Sequence, residues 1–451
     1  MTRTLIHNAI IVNEGRQFKG AVLIEGDRIA AIYEGEAPIA NPALSSLNCT
    51  DAKEALLLPG IIDTHVHFRE PGITHKADIA HESRAALAGG VTSVIDMPNV
   101  SPPTTSLGRW QERMVLGEHE SRTNYAYYIG ATNEWTMDDE QLPSCPIIKL
   151  FMGSSTGNML VDDREALLRI FRYAAKRNIL IVAHCEDTSR INERMTKAKQ
   201  RWGDDPAVEH HPWIRDEEAC FRSSSLAVNL AKKTGARLHI AHISTERELS
   251  SLFSPLTTHL PQITGEACVP HLLFCDDDYG RLGTRIKCNP AIKSRKDRNA
   301  LRQAVADERI RTIATDHAPH LLQEKEGGCV RAASGIPMIQ FSLVSMLELV
   351  DEGVLSLNRL VDAMCHYPAQ VFGIKERGFL RLGNKADITL VKHEEWTLQK
   401  EDILSKCGWS PLEGHTFKWR VQKTFVNGNL AYDNGHINDN IRGEALTFDF
   451  N

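Results

Sequence analysis

The sequence predicts an α/β fold: a TIM-type (β/α)8 barrel carrying a small β-sandwich domain built from both termini. Three observations predict it. Eight apolar strand-like runs alternate with amphipathic stretches between residues 59 and 370, as parallel strands do when both faces are buried and helices make the crossovers. Short β-branched runs lie at both ends of the chain. Polar residues gather at the C-terminal ends of the buried runs, the end where such a barrel builds its site. The competing architecture is a doubly wound open sheet, but no GxGxxG follows a strand.

In order along the chain, TLIHNAIIV (4–12), AVLIE (21–25) and RIAAIY (28–33) read as strands, with Gly26-Asp27 marking a hairpin. ADITLV (386–391), WRVQKTFVNGNLAY with its Asn427-Gly428 turn signal, and ALTFDF (445–450) are strand-like again. Residues 1–58 and 371–451 are therefore expected to form one β domain, and residues 59–370 the barrel. Its eight runs are LLLPGIIDTHVHF, VTSVIDMPN, NYAYYIGA, PIIKLFMG, NILIVAHCED, ARLHIAHIS, QITGEACVPHLLF and RIRTIATDHAPH. DREALLRIFRYAAKR (163–177) and RSSSLAVNLAKKTG (222–235) repeat apolar residues at helical spacing, and the second stops at Gly235.

A chain of 451 residues, 42% hydrophobic and 24% charged, is too long for a disulfide scaffold and too apolar for a disordered one. Fifty-two Lys and Arg against 58 Asp and Glu leave a net charge of -6, which provides no general field for nucleic acid or an anionic membrane. The N-terminal stretch lacks the apolar core of a signal peptide and no later run approaches a membrane span, so a cytoplasmic location is expected. Ten cysteines without a CxxC pair imply neither a disulfide framework nor a cysteine-zinc site.

The chemistry lies in the 19 histidines. The first barrel run ends in Asp63-Thr64-His65-Val66-His67, and because strand side chains alternate, His65 and His67 share a face. His184, His242 and Asp316 close three further apolar runs. Lys149 sits inside PIIKLFMG, where burial lowers an amine's pKa and frees it to add carbon dioxide as a carbamate. Alone it would read as a snorkelling or ion-paired lysine. Four His, one Asp and one carbamate form a nitrogen and oxygen donor set suited to zinc or a similar divalent ion. Six donors exceed the need of one catalytic zinc, so two ions about 3.5–4 Å apart sharing a water are expected. Asp316 then serves as both ligand and general base. Asp63 and Glu186 are candidates for holding an imidazole N–H.

PGIIDTHVHFREPG (59–72), DMPN (96–99), KLF (149–151), AHCED (183–187), AHIS (241–244) and TDHAPH (315–320) together resemble the cyclic amidohydrolases of the amidohydrolase superfamily. HFREPG and DMPN point within it to the dihydroorotase family. That resemblance implies two zinc or similar ions on His65, His67, N6-carboxylated Lys149, His184, His242 and Asp316. It also implies a substrate carboxylate held by Arg69, Asn99 and His320, and a ring contact by Asn289. Gly335 occupies a place where family backbone atoms touch the ring. The chain departs from the family in reading PHLL (270–273) and NPAIK (289–293) where PHH, and NPP followed by LR, are common; no role is assigned to His271.

The activity so implied is reversible cyclisation of N-carbamoyl-L-aspartate to L-dihydroorotate in de novo pyrimidine (UMP) biosynthesis, through a metal-bridged hydroxide with Asp316 as general acid and base. The alternatives are an allantoinase, a hydantoinase or dihydropyrimidinase, and an inactive homologue that partners aspartate transcarbamoylase. The expected partners are the small-molecule substrate and a second copy of the chain, with the transcarbamoylase possible and neither nucleic acid nor membrane involved.

Overall fold

The structure is a computed structural model and describes residues 2–36, 48–135, 147–153, 159–252 and 262–449. Strands near the two chain ends meet in one sheet. β1 (Arg3–Asn13), β2 (Arg16–Glu25) and β3 (Arg28–Glu34) form an antiparallel meander, and β4 (Asn48–Asp51) and β5 (Leu56–Pro59) lie parallel to β1.

Gly60 then turns the chain into a parallel series. A side chain there would collide with Thr92, its Cβ falling 2.8 Å from the Thr92 Cβ, so only glycine lets the chain change sheets at this point. LLLPGIIDTHVHF, read in sequence as one strand, is therefore two strands in different sheets. The series runs β6 (Ile61–Val66), β7 (Val91–Asp96), β8 (Asn124–Tyr127), β9 (Ile129–Gly130), β10 (Ile148–Phe151), β11 (Leu180–His184), β12 (Arg237–Ile240), β13 (Ile263–Cys268) and β14 (Thr312–Ala314). β6 to β8 make a three-stranded sheet and β9 to β14 a six-stranded one. A parallel bridge between Val66 and His317, with the His67 N–H donating to His317 O at 2.8 Å, links the first strand to the chain beyond the last.

After the parallel series, β15 (Ile388–Thr397), β16 (Thr416–Val426), β17 (Asn429–Asp433) and β18 (His436–Ile437) complete the first sheet, because β15 pairs antiparallel with β5. Ile6, Val22, Leu57, Leu390 and Phe425 pack in one buried layer on this sheet. ALTFDF does not join them: Ala445 and Phe448 make single bridges to Tyr125 and Ile374.

Helices start and stop where their sequence signals lie. Asp163 caps the helix Arg164–Lys176 by accepting from the Ala166 N–H at 2.6 Å, and the helix Glu217–Thr234 ends on Gly235 at φ +80°. The second half of QITGEACVPHLLF is also helical, Val269–Leu273, with Pro270 in its first turn. Among the described residues no helix is long and apolar enough to cross a membrane.

Candidate active site

The parallel strands deliver their terminal side chains to one cleft. His65 from β6 and His67 just beyond it enter side by side, with Lys149 from β10, His184 from the end of β11, and His242 and Asp316 from the turns after β12 and β14. Asp316 Oδ1 lies 3.3 Å from His65 Nε2 and 3.1 Å from His67 Nε2. His184 Nδ1 faces His242 Nε2 at 2.9 Å. His242 and Asp316 adopt φ +36° and +48°, and Arg69 +67°, left-handed values that cost energy in non-glycine residues and concentrate at functional sites.

The electrostatics suit cation binding. Burial lowers His67 to about 4, and lowers His184 and His242 too, so these rings are neutral near pH 7 and keep a lone pair. Burial works to raise Asp316, but the His65 and His67 imidazoles outweigh it and hold the carboxyl at about 2. Lys149 is fully buried, and among the described residues its Nζ has no hydrogen-bond partner. Burial lowers its pKa, because an ammonium there would be desolvated. The donor atoms of His65, His67 and Asp316 lie within 4.8 Å of one another. Nitrogen and oxygen donors beside a buried amine fit a divalent ion.

Other carboxyl and amide groups hold these ligands. Glu266 on β13 takes His65 Nδ1 and lies 3.4 Å from His239 Nε2. Asn99 Oδ1 accepts from His67 Nδ1 at 2.8 Å, and Glu186, ion-paired with Arg215, lies 3.2 Å from His184 Nε2. Each contact fixes which ring nitrogen faces the cleft. Asp63 does something else. Its carboxylate accepts the backbone N–H groups of His65 and Thr315 at 3.1 and 3.2 Å and the Thr315 hydroxyl at 2.5 Å. The expectation that it holds an imidazole is thus corrected: its short side chain reaches backbone and ties the first strand to the turn bearing Asp316. Glu266 escaped the sequence reading, although a lone acid in TGEAC carries the same signal as Lys149 in its own apolar run.

Arg69, Asn99, Asn289, Ala318, Ser334 and Gly335 also line the cleft. Arg69 is 2% exposed; its Nε donates to Pro319 O and its guanidinium meets His320 Nε2, both at 3.1 Å. Burial lowers it only to about 10, so it stays charged, and among the described residues no carboxylate pairs with it. His320 stands behind Arg69 and does not line the cleft; its Nε2 lies 3.1 Å from Ser334 O and its Nδ1 3.0 Å from Lys76 Nζ. Asn289 Oδ1 lies 3.1 Å from His211 Nε2. His271 turns to Pro290 O at 3.0 Å and is absent from the lining.

Comparison with known proteins gives this cleft its context. Residues 56–119 and 159–431 match the amidohydrolase family. The chain belongs to the amidohydrolase family. This amidohydrolase is 34% identical over 420 residues to a dihydroorotase of Halobacterium salinarum, covering 91% of the chain and 93% of the relative. It is 32% identical over 442 residues to a dihydroorotase of Lactobacillus acidophilus, covering 96% and 99%. Among solved structures it resembles the L-hydantoinase (dihydropyrimidinase) of Arthrobacter aurescens, with a TM-score of 0.89, 24% identity and coverage of 99% and 100%. The dihydropyrimidinase of Brevibacillus agri follows with a TM-score of 0.85, 22% identity and coverage of 97% and 96%. That likeness is one of fold.

Proposed function

We propose that this amidohydrolase is a dihydroorotase, which closes N-carbamoyl-L-aspartate to L-dihydroorotate with loss of water, and the reverse, in pyrimidine biosynthesis. The observation that carries the reading is Arg69, a buried guanidinium without an acidic partner among the described residues, in the same cleft as a His, Asp and Lys donor set. A planar cation so placed calls for a substrate carboxylate. Dihydroorotate has one and the rings of hydantoin, allantoin and dihydrouracil do not. The relatives named dihydroorotase favour the same substrate.

In this reading the parallel strands form an eight-stranded barrel, β8 and β9 sharing one position, and the nine-stranded sheet is a separate β domain. His65, His67, Asp316 and a carboxylated Lys149 would hold one zinc or similar ion, and His184, His242 and Lys149 would hold a second. When bound, such ions supply Lewis acidity that lowers the pKa of water and polarises a carbonyl.

The protein's own groups do the rest. In hydrolysis Asp316, ionised at rest, takes a proton from the attacking water as the new C–O bond forms. It returns that proton to the ring nitrogen as the C–N bond breaks, leaving a ureido group and a carboxyl group whose remaining proton passes to solvent. Cyclisation runs the same transfers backwards. Arg69 and Asn99 form the carboxylate clamp, with His320 bracing the Arg69 guanidinium from behind, and Asn289, its amide oxygen occupied by His211, offers its NH2 to the ring.

The test is turnover of dihydroorotate, hydantoin, allantoin and dihydrouracil side by side by protein loaded with zinc and bicarbonate. Dihydroorotate is expected to have the highest kcat/KM. A ring without a carboxylate turned over faster refutes the assignment.

A further inference from the structure

We infer that Lys325, which lies outside the metal and carboxylate sites, is a positioning residue: its buried ammonium sets the direction of the Ala333–Gly335 backbone that faces the ring, and so sets affinity for the substrate. The inference rests on the reading that the cleft takes a cyclic amide.

Lys325 ends the short turn Leu322–Lys325 and is 2% exposed. Its Nζ donates to three main-chain carbonyls, Lys287 O at 2.9 Å, Ala333 O at 2.7 Å and Gly335 O at 2.8 Å. An ammonium has three N–H donors and no more, so the three acceptors consume the group. Among the described residues no carboxylate pairs with it. A buried cation without a counter-ion is expensive, and here it is satisfied wholly by the carbonyls of one segment and its support. The charged and titratable groups that bear on it are Lys287, Arg69 and the thiols of Cys288 and Cys407, and burial lowers it to about 7.

The segment it grips is the one that meets the ligand. Ser334 and Gly335 line the cleft with Arg69 and Asn289. Gly335 has φ +151°, and a Cβ there would press on Ala318 O and fall 2.8 Å from His320 Cδ2, so bare backbone forms this part of the wall. A peptide unit is planar and its N–H opposes its C=O. Turning Ala333 O towards Lys325 therefore turns the Ser334 N–H away from it, and among the described residues no group in the protein accepts from that N–H. Lys287 supports the same segment: its carbonyl accepts the Gly335 N–H at 2.9 Å and its ammonium donates to Ala332 O. No residue of this assembly is a ligand in the donor set, so its effect is expected in binding and not in metal retention.

The test is Lys325→Ala in the zinc-loaded enzyme. We expect an unchanged metal content, kcat within about threefold and KM for dihydroorotate raised about tenfold or more, because a wall displaced by a fraction of an ångström spoils binding geometry. Methylammonium, which has N–H donors and fits the space left by the side-chain end, is expected to recover most of the loss. Tetramethylammonium, which has none, is expected to recover nothing. An unchanged KM, equal rescue by both cations, or loss of metal and kcat together overturns the inference. Hydrogen exchange on the unmodified enzyme needs no variant: the Ala333 and Gly335 amides, which donate to Glu324 O and Lys287 O, are expected to be protected, and exchange at the rate of a free peptide overturns it. If the parent enzyme fails to turn over dihydroorotate, the proposed function falls instead. Comparing amide exchange in the parent and in Lys325→Ala then still decides the role of Lys325.

Discussion

Arg69→Met separates a carboxylate clamp from a structural arginine. Methionine fills much of the same buried volume, and it faces the same left-handed backbone, φ +67°, that arginine already tolerates. The change removes donors to Pro319 O and the contact with His320, each at 3.1 Å, and leaves an incoming carboxylate in a buried wall without its cation. Truncating one side of a buried, hydrogen-bonded charge pair costs about 2–4 kcal/mol. At about 1.4 kcal/mol per decade, kcat/KM for dihydroorotate should fall about 30-fold to 1,000-fold. Turnover is followed by the absorbance of ring opening, with metal content and melting temperature as controls. Any residual turnover of dihydrouracil, which has no carboxylate, should change less than about threefold by the same logic. A dihydroorotate kcat/KM within about threefold of the parent refutes the clamp.

Asp316→Ala is expected to lower kcat by about 1,000-fold or more while the melting temperature holds, since strand-end residues on this face serve function more than stability; residual activity above that level contradicts the proton transfer. Glu266→Gln keeps the shape but removes the charge that holds His65 Nδ1, so metal affinity measured by competition with a chelator should weaken about 10-fold to 100-fold. Lys149→Ala should lose metal and activity, with partial rescue by short carboxylic acids, and full two-ion occupancy by metal analysis contradicts a bridging carbamate. Asp205 supplies a pH test. Burial works to raise it, but Arg331 and the backbone N–H groups of Val330, Gly328 and Arg331 hold it well below the usual carboxylate range. A depressed folded pKa gives stability that is present above the unfolded value of about 4 and is lost as pH falls towards the folded one. The urea-midpoint deficit of Asp205→Asn should therefore be largest at neutral pH and shrink in acid, and a deficit independent of pH contradicts the linkage.

Much of this arrangement is legible in the sequence because strands expose it. A polar residue at the end of an apolar run has few reasons to be there, and His65, His67, His184, His242 and Asp316 all occupy such positions. Lys149 is legible for the related reason that a cation inside an apolar run must be either partnered or put to use. The α/β class with parallel strands follows from the alternation of those runs with amphipathic helices. Partners distant in sequence are hidden. Glu266 lies 201 residues from His65, and nothing in TGEAC says which ring it holds. The partner of Asp63 is hidden too, because face alternation predicts direction but not reach, and its carboxylate meets backbone and Thr315 instead of an imidazole. The change of sheet at Gly60 was missed because Leu56–Val66 is apolar throughout, and only the side chain of Thr92, brought against Gly60 by the fold, requires the break. The grip of Lys325 on three carbonyls is legible only in three dimensions, since a lysine bonded to backbone leaves no complementary residue to find.

A crystal structure of the enzyme grown with zinc and bicarbonate tests the account most directly, at the ε-nitrogen of Lys149. The account predicts a carboxyl group on that nitrogen between two ions, one on His65, His67 and Asp316 and the other on His184 and His242. A bare amine in an enzyme that still turns over dihydroorotate would contradict it.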